Sequence, residues 1–412
     1  MTNKRIVVLG NGGAACHAVK AIREAGFGGE IHMLSDTREP AFNPMLAPYY
    51  LKGMMDWERC YPFGADFYRR HEVACHFGSP VVALDALART VCTEDGQQMD
   101  YDRCLVATGA NAALPPVPGL SESPFAYPLR TSESTRNLES VMATAKKAVI
   151  LGASLVGIKI AEIMTKQKAH IIVVDVAGQV MPHGSHSLTA GFLQRYFEQH
   201  AVEFMLGCSL QGLSESAEGV CCFFPHTIVE DADFIGVCTG IRPSLQFIDH
   251  QQVDIDSGIL IDACCRSSVP GLYAAGDCAQ GINPMSGKHE WQGTWVRACY
   301  QGRTAGLNMA GRYARFDGII PQHVSPFFDW IFAQIGNVHT DSKNVHMETL
   351  GNPFKRDGKF KLLVYDGDIL VGANLINCME DAPIIKHAIT LGRPLSMAET
   401  KAVPEYLQAI AV

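Results

Sequence analysis

Short apolar runs alternate with amphipathic ones along most of the chain. "RIVVLG" reads as a strand buried on both faces and ended by Gly10. "GAACHAVKAI" follows with small and apolar residues at helical spacing, and "EIHMLSD" then reads as a second strand ending at Asp36. The same order recurs further on. "KKAVILGASLVGIKIAEIM" is strand, glycine turn and helix, and "AHIIVVD" is the next strand, ending at Asp175. The tail changes character. "KFKLLVYDGDILVGANLIN" places two β-rich runs around Asp366-Gly367-Asp368, a hairpin turn, and "EDAPIIKHAITLG" reads as a helix stopped by Gly392. The pattern predicts an α/β chain with two doubly wound, Rossmann-like units and a small α+β C-terminal domain. No tandem repeat beyond the two units and no low-complexity linker is visible.

The two glycine turns carry the first chemistry. In Gly10-x-Gly12-x-x-Ala15, Gly10 permits the tight turn and Gly12 lets a pyrophosphate reach the backbone at the helix N-terminus. Ala15 lets helix and strand pack closely. Asp36 stands where a carboxylate binds a ribose. Gly152-x-Ser154-x-x-Gly157 with Asp175 repeats the arrangement, serine being small enough for a close phosphate approach. Two such units predict two dinucleotides.

Composition narrows the class. The 412 residues carry a formal charge of −8, with 34 basic against 42 acidic side chains, which is no footprint for nucleic acid. No apolar run reaches the roughly 18 residues a membrane helix needs. "MTNKRIVVLG" enters a strand at once, so a cytoplasmic protein without a leader is expected. Fourteen cysteines include no Cys-x-x-Cys, so neither a zinc ribbon nor a cluster site is visible. The adjacent pairs Cys221–Cys222 and Cys264–Cys265 read as buried, inert thiols.

Further segments follow in a telling order. These are "CLVATGANAALPPVPG" with Thr108 and Gly109, "ADFIGVCTGIRPS" with Thr239 and Gly240, "GLYAAGDCAQ" with Gly276 and Asp277, and "WVRACYQGRTAGLNMAG". Together with the two glycine turns the chain resembles, over roughly residues 4–312, the FAD-dependent pyridine nucleotide oxidoreductases: ferredoxin and rubredoxin reductases, NADH oxidases and disulfide reductases. The resemblance implies a discontinuous FAD domain (1–110 and 235–320), an inserted NAD domain (111–234) and an interface domain (321–412). It implies FAD contacts from Gly10, Gly12, Gly13, Ala15, Asp36, Asn43, Pro44, Val81, Thr108, Gly109, Gly276, Asp277 and Trp295. It implies NAD contacts from Gly152, Ser154, Leu155, Val156, Asp175 and Gly240.

The stretch "AFNPMLAPYY", residues 41–50, is where thiol-using relatives place a redox cysteine against the flavin. Here Met45 occupies that neighbourhood, and methionine forms no thiolate. Dithiol chemistry is therefore not expected. The lysine that ferredoxin reductase-like relatives carry in this loop is absent, with Pro48 nearest. The glutamate usual after the second glycine turn is replaced by Lys159. That leaves open an altered nicotinamide pose, an anionic partner, loss of NAD binding, or a local pair with Glu162. His183 and His186 read as loop residues, and Lys288-His289-Glu290 as a solvated loop. Trp291 and Trp295, four apart, read as one helix face.

The function expected is electron transfer between NAD(H) and a protein carrier through FAD, without a redox disulfide. The carrier is a ferredoxin, a rubredoxin or an iron–sulfur subunit of a larger complex. The chain is also similar to the flavoprotein subunits of 2-oxoacid:acceptor oxidoreductases such as phenylglyoxylate dehydrogenase. An NADH oxidase and a non-catalytic FAD-binding scaffold or redox sensor are the alternatives. The charge of −8 argues against a strongly acidic ferredoxin unless a local basic patch exists, for which Lys343, Lys355, Arg356, Lys359 and Lys361 are the available residues. Deleting 321–412 is expected to cost carrier reduction more than NADH-to-dye activity.

Overall fold

Each glycine turn sits where a parallel sheet reverses its strand order. A computed structural model describes residues 4–340, 342–397 and 399; the expected domain limits at 1 and 412 lie outside the described residues. The described residues divide into two compact units: 4–111 with 130–135 and 241–319, and 112–129 with 136–240 and the described residues from 320 onward.

The first unit is built on a five-stranded sheet in the order Leu272–Ala274, Arg103–Val106, Arg5–Leu9, Glu30–Ser35, Val73–Phe77. Every pairing is parallel. The chain leaves the central strand Arg5–Leu9 toward one neighbour and returns on the other side. The crevice at its carboxyl end is the place such folds bind ligands. Helix Gly13–Glu24 covers the sheet through Ala15, Ala18, Val19 and Ile22, all fully buried. It lies against helix Trp295–Met309 so closely that a Cβ on Gly302 would sit 2.1 Å from the Ala14 carbonyl oxygen. Two small three-stranded sheets, Val81–Asp85 with Thr90–Thr93 and Gln98–Asp100, and Ile259–Leu260 with Ala279–Ile282 and His289–Trp291, complete the unit.

The second unit repeats the parallel scheme with Val202–Leu206, His170–Asp175, Lys147–Leu151, Phe234–Val237 and Ala126–Pro128. It also contains the tail, an antiparallel sheet in the order Gln322–Phe327, Trp330–Gly336, Ile369–Ile376, Phe360–Asp366, Val345–Gly351. The hairpin turns at Gly367 as the sequence predicts, Asp366 pairing with Ile369. Helix Ala382–Leu391 ends on Gly392 at φ 60°.

Aromatic packing makes the tail and the parallel sheet one unit. Helix Ser187–Glu198 presents Tyr196, stacked on Trp330 at 3.7 Å, and Phe197, edge-on to Phe327 at 5.5 Å. His200 stacks on Phe328 at 3.8 Å, and the Glu162 carboxylate accepts the Phe328 N–H. Each large side chain buried this way contributes about 1.5–3 kcal/mol. Among the described residues no helix is long and apolar enough to cross a membrane.

Candidate functional site

The first glycine turn opens a cavity of about 570 Å³ in the first unit, within the range of small-molecule sites. Gly10, at φ 105°, is held against the next strand: a Cβ there would sit 2.2 Å from the Ala107 carbonyl oxygen. Gly12 is the N-cap of helix Gly13–Glu24 and has no side chain to close the helix end. A Cβ on Gly12 would meet nothing within 4 Å, because that space belongs to the cavity. The first N–H groups of the helix are therefore free to receive an anion. Gly13 is tight for another reason: Trp295 would lie 2.9 Å from its Cβ.

The lining gathers most of the residues expected for FAD: Gly10, Gly12, Gly13, Asp36, Pro44, Val81, Thr108, Gly109, Gly276, Asp277 and Trp295, with Met45 beside them. Ala15 and Asn43 do not line it. Ala15 is fully buried against the sheet. Asn43 is buried inside its own loop, where its Oδ1 accepts the Met45 N–H at 3.0 Å. Pro44, Met45 and Phe42 bring an apolar wall from the 41–50 stretch. Trp291 and Trp295 do not share a helix face. Trp291 ends strand His289–Trp291 and donates its indole N–H to the Asp277 carbonyl at 2.8 Å. Gly293 intervenes, and Trp295 begins the next helix, capped by Thr294. Lys288, His289 and Glu290 belong to that hairpin and do not line the cavity.

Arg130 is the residue sequence reasoning missed. Its guanidinium pairs with Asp277 Oδ2 at 2.6 Å and donates from Nε to the Ala110 carbonyl at 2.9 Å. Both partners are largely buried, and among the described residues Arg130 is the cavity's sole cationic side chain, against Asp36, Glu39 and Asp277. Nothing local in "PLRTSES" announces a partner so distant in sequence. Replacing Arg130 with leucine is expected to raise the dissociation constant for FAD about tenfold or more, since a hydrogen bond to a charged group contributes about 1.5–3 kcal/mol. Flavin release followed by fluorescence measures this; unchanged retention would contradict the role.

Among the described residues no cysteine lines the cavity. Burial pushes the Cys278 thiol up to about 11 and those of Cys222 and Cys238 up to about 12. Cys75 is the exposed thiol among the described residues, and partial burial raises it to about 11. Alkylation with iodoacetamide at neutral pH is therefore expected to leave NADH-to-dye reduction intact. A large loss with the flavin still bound would refute this. Cys221 and Cys222 alternate outward and inward on strand Val220–Phe224, and Cys264 and Cys265 are both buried. Among the described residues no three His, Cys, Asp or Glu side chains are placed to hold a metal.

In the second unit Gly152, at φ 104°, is fixed by the neighbouring strand, a Cβ lying 2.4 Å from the Cys238 carbonyl oxygen. Ser154 is the N-cap of helix Leu155–Thr165 but does not cap it; its hydroxyl donates to the Cys238 carbonyl at 3.0 Å. The helix end, with Leu155 and Val156 in its first turn, is again open. Asp175 is pinned: its carboxylate accepts the Ala153 N–H at 2.7 Å and the Ala177 N–H at 2.8 Å. Gly240, exposed at φ 107°, accepts the Ala113 N–H at 2.9 Å. Lys159 is 7% exposed, with its ammonium 5.5 Å from the Phe327 ring centre, which disfavours an anionic partner in solution. His183 lies in a loop, and His186 caps helix Ser187–Glu198.

These arrangements have relatives. The chain is 29% identical over 79% of its length to the NADH-dependent phenylglyoxylate dehydrogenase subunit epsilon of Aromatoleum evansii, covering 77% of that protein. It is 24% identical to the ferredoxin–NAD(+) reductase component of the anthranilate 1,2-dioxygenase system of Burkholderia cepacia, over 95% of both chains. Its fold matches the reductase in the crystal structure of the covalent putidaredoxin reductase–putidaredoxin complex, with a TM-score of 0.88 at 21% identity, over 100% of this chain and 99% of that one. The family model for pyridine nucleotide-disulphide oxidoreductases, proteins that bind FAD and NAD(H), matches residues 4–302. With both glycine turns, both strand-end aspartates and the Gly276–Asp277 segment in place, the chain belongs to the pyridine nucleotide-disulphide oxidoreductase family.

Proposed function

We propose that this protein transfers electrons between NAD(H) and a separate protein electron carrier through bound FAD. The observation that carries the reading is the first-unit cavity. It joins an open helix end at Gly12 to the Arg130–Asp277 pair and an apolar wall at Pro44, Met45 and Trp295, with no thiol in its lining. Gly10, Gly12 and Gly13 would receive the FAD pyrophosphate, Asp36 the adenosine ribose, and Asp277 the ribityl chain. Gly152, Ser154, Leu155, Val156, Asp175 and Gly240 would hold NAD(H). When bound, FAD supplies the exchange between a two-electron donor and one-electron acceptors. The protein's part is to fix both dinucleotides and to keep thiols out of the reaction. One NADH would thus yield NAD⁺, a proton and two reduced carriers.

The expected division into an FAD part (1–110 and 235–320), an NAD part (111–234) and a tail (321–412) belongs to this reading, as does a cytoplasmic location, where NADH is at hand. The carrier follows the relatives' chemistry: a small iron–sulfur protein, or an iron–sulfur subunit of a complex. The five-residue basic patch is smaller than the sequence suggests. Lys361 is buried and paired with Asp381, and Lys359 pairs with Glu380 at 2.5 Å. Strand Phe360–Asp366 is buried along nearly its whole length, which turns Lys361 inward. Lys343, Lys355 and Arg356 remain exposed. Deleting 321–412 would also uncover Tyr196 and Phe197, so NADH-to-dye activity should fall with carrier reduction rather than survive it.

The test is anaerobic. NADH should bleach the protein-bound flavin, and a ferredoxin or rubredoxin added next should be reduced, two per NADH. Flavin that NADH does not reduce would leave the scaffold alternative standing. Rapid turnover with oxygen and none with either carrier would favour the oxidase.

A further inference from the structure

We infer that Asn374, in the tail sheet, is a positioning residue of the nicotinamide dinucleotide site. Asn374 occupies the middle strand of that sheet, opposite Gln334 and Leu362, and is fully buried. Its side chain leaves the sheet and grips one peptide segment from two sides. Oδ1 accepts the His186 N–H at 2.8 Å, and Nδ2 donates to the Gly184 carbonyl at 3.0 Å. A weaker contact of Nδ2 with its neighbour's Ala373 carbonyl is 3.3 Å.

The gripped segment is the end of the loop that follows Asp175. Two further side chains of the loop are tied as well. Gln179 donates to the Ser185 carbonyl at 2.8 Å, and the buried Ser185 hydroxyl lies 2.9 Å from the Val180 carbonyl oxygen. The loop then backs directly onto the glycine turn: the Met181 N–H donates to the Ala153 carbonyl at 2.8 Å, with Met181 held at φ 51°. Ala153 is thus fixed through both peptide groups, its carbonyl by Met181 and its N–H by Asp175. Asn374 holds the far end of this lattice. Asparagine matches the task because its amide offers one donor and one acceptor in the plane that a peptide N–H and C=O require. Removing it strands one buried and one part-buried main-chain group, which costs more than the bonds themselves contribute. The loop would relax first, and the Ala153 turn and the Asp175 carboxylate would lose their backing.

This inference rests on the proposal that the second glycine turn binds NAD(H). The experiment uses holoenzyme with Asn374→Leu, a side chain of similar volume with no polar group. The dissociation constant of NAD⁺, by calorimetry, should rise about tenfold, the scale expected when unpaired buried groups loosen a site. Flavin content and the limiting rate of flavin reduction at saturating NADH should stay within about twofold, a split that general destabilisation does not produce. Wild type that binds no NAD⁺ would overturn the nucleotide reading and this inference together. Wild type that binds, with a variant that binds equally well, would overturn the inference alone. If the variant fails to fold, hydrogen exchange on wild-type holoenzyme decides: NAD⁺ should slow exchange of the His186 amide, and no slowing would overturn the role of Asn374.

Discussion

Gly12→Val is expected to give a folded but colourless protein. The position has φ −113° and ψ −168°, extended backbone that valine adopts freely. No atom beyond its own chain neighbours lies within 4 Å of the added Cβ, so the apo fold has nothing to repack. What the branched side chain would fill is the cavity at the helix N-terminus, where a pyrophosphate must approach the backbone. Flavin content should fall from about one per chain to roughly a tenth or less, with a thermal midpoint matching that of wild type stripped of flavin. Visible absorbance and calorimetry of the purified protein are sufficient. Gly10→Ala is the control with the opposite signature. Its φ of 105° and the 2.2 Å clash with the Ala107 carbonyl place the damage in the fold itself. A folded Gly12→Val protein carrying full flavin would refute the assignment of this cavity.

The second large effect concerns the choice of nucleotide. NADH should be preferred to NADPH by a factor on the order of 10²–10³ in the rate constant for flavin reduction at low nucleotide concentration. Asp175 cannot swing away from a 2′-phosphate, because both of its oxygens are held by main-chain N–H groups. Like charges about 4 Å apart near a protein surface repel by up to about 4 kcal/mol. The next residue, Val176, is 75% exposed and brings no cation, and no arginine follows before Arg195. The preference should shrink with added salt, which screens exposed charge. Val176→Arg should narrow it by about tenfold or more by offering a guanidinium to the phosphate. Stopped-flow reduction with each nucleotide reads both effects. Equal rates and affinities for the two nucleotides in wild type would remove Asp175 from the role.

What the sequence reveals and what it hides divide by range. The strand–glycine–helix units are legible because a turn that needs Gly10 or Gly152 and a helix that needs small residues beside it are local demands. Gly10 and Gly12 follow from them, whereas Thr108, Gly109, Gly276 and Asp277 enter only through the resemblance to the family. Arg130 is hidden, since its partner is fixed by how distant segments of one unit converge. Spacing misleads at Trp291 and Trp295: four apart suits a helix, but Gly293 packs against Trp291 and the helix starts only at Trp295. Charge misleads at Lys361, whose strand is buried and whose ammonium meets Asp381. Asn374 is silent in sequence, one polar residue in an apolar run, because its meaning lies in the main chain it reaches.

The aromatic seam between helix Ser187–Glu198 and the 327–330 turn has a consequence for biosynthesis. The parallel sheet of the second unit is complete once Val237 has been made, yet the tail side chains that stack on Tyr196 and Phe197 are encoded roughly 130 residues after that helix. At about 5–20 residues per second, a nascent chain would display those two rings for on the order of ten seconds before Phe327 and Trp330 arrive. Translation arrested between residues 240 and 320 should therefore yield ribosome-bound chains that recruit hydrophobic-binding chaperones, and release of that demand should coincide with synthesis of the tail.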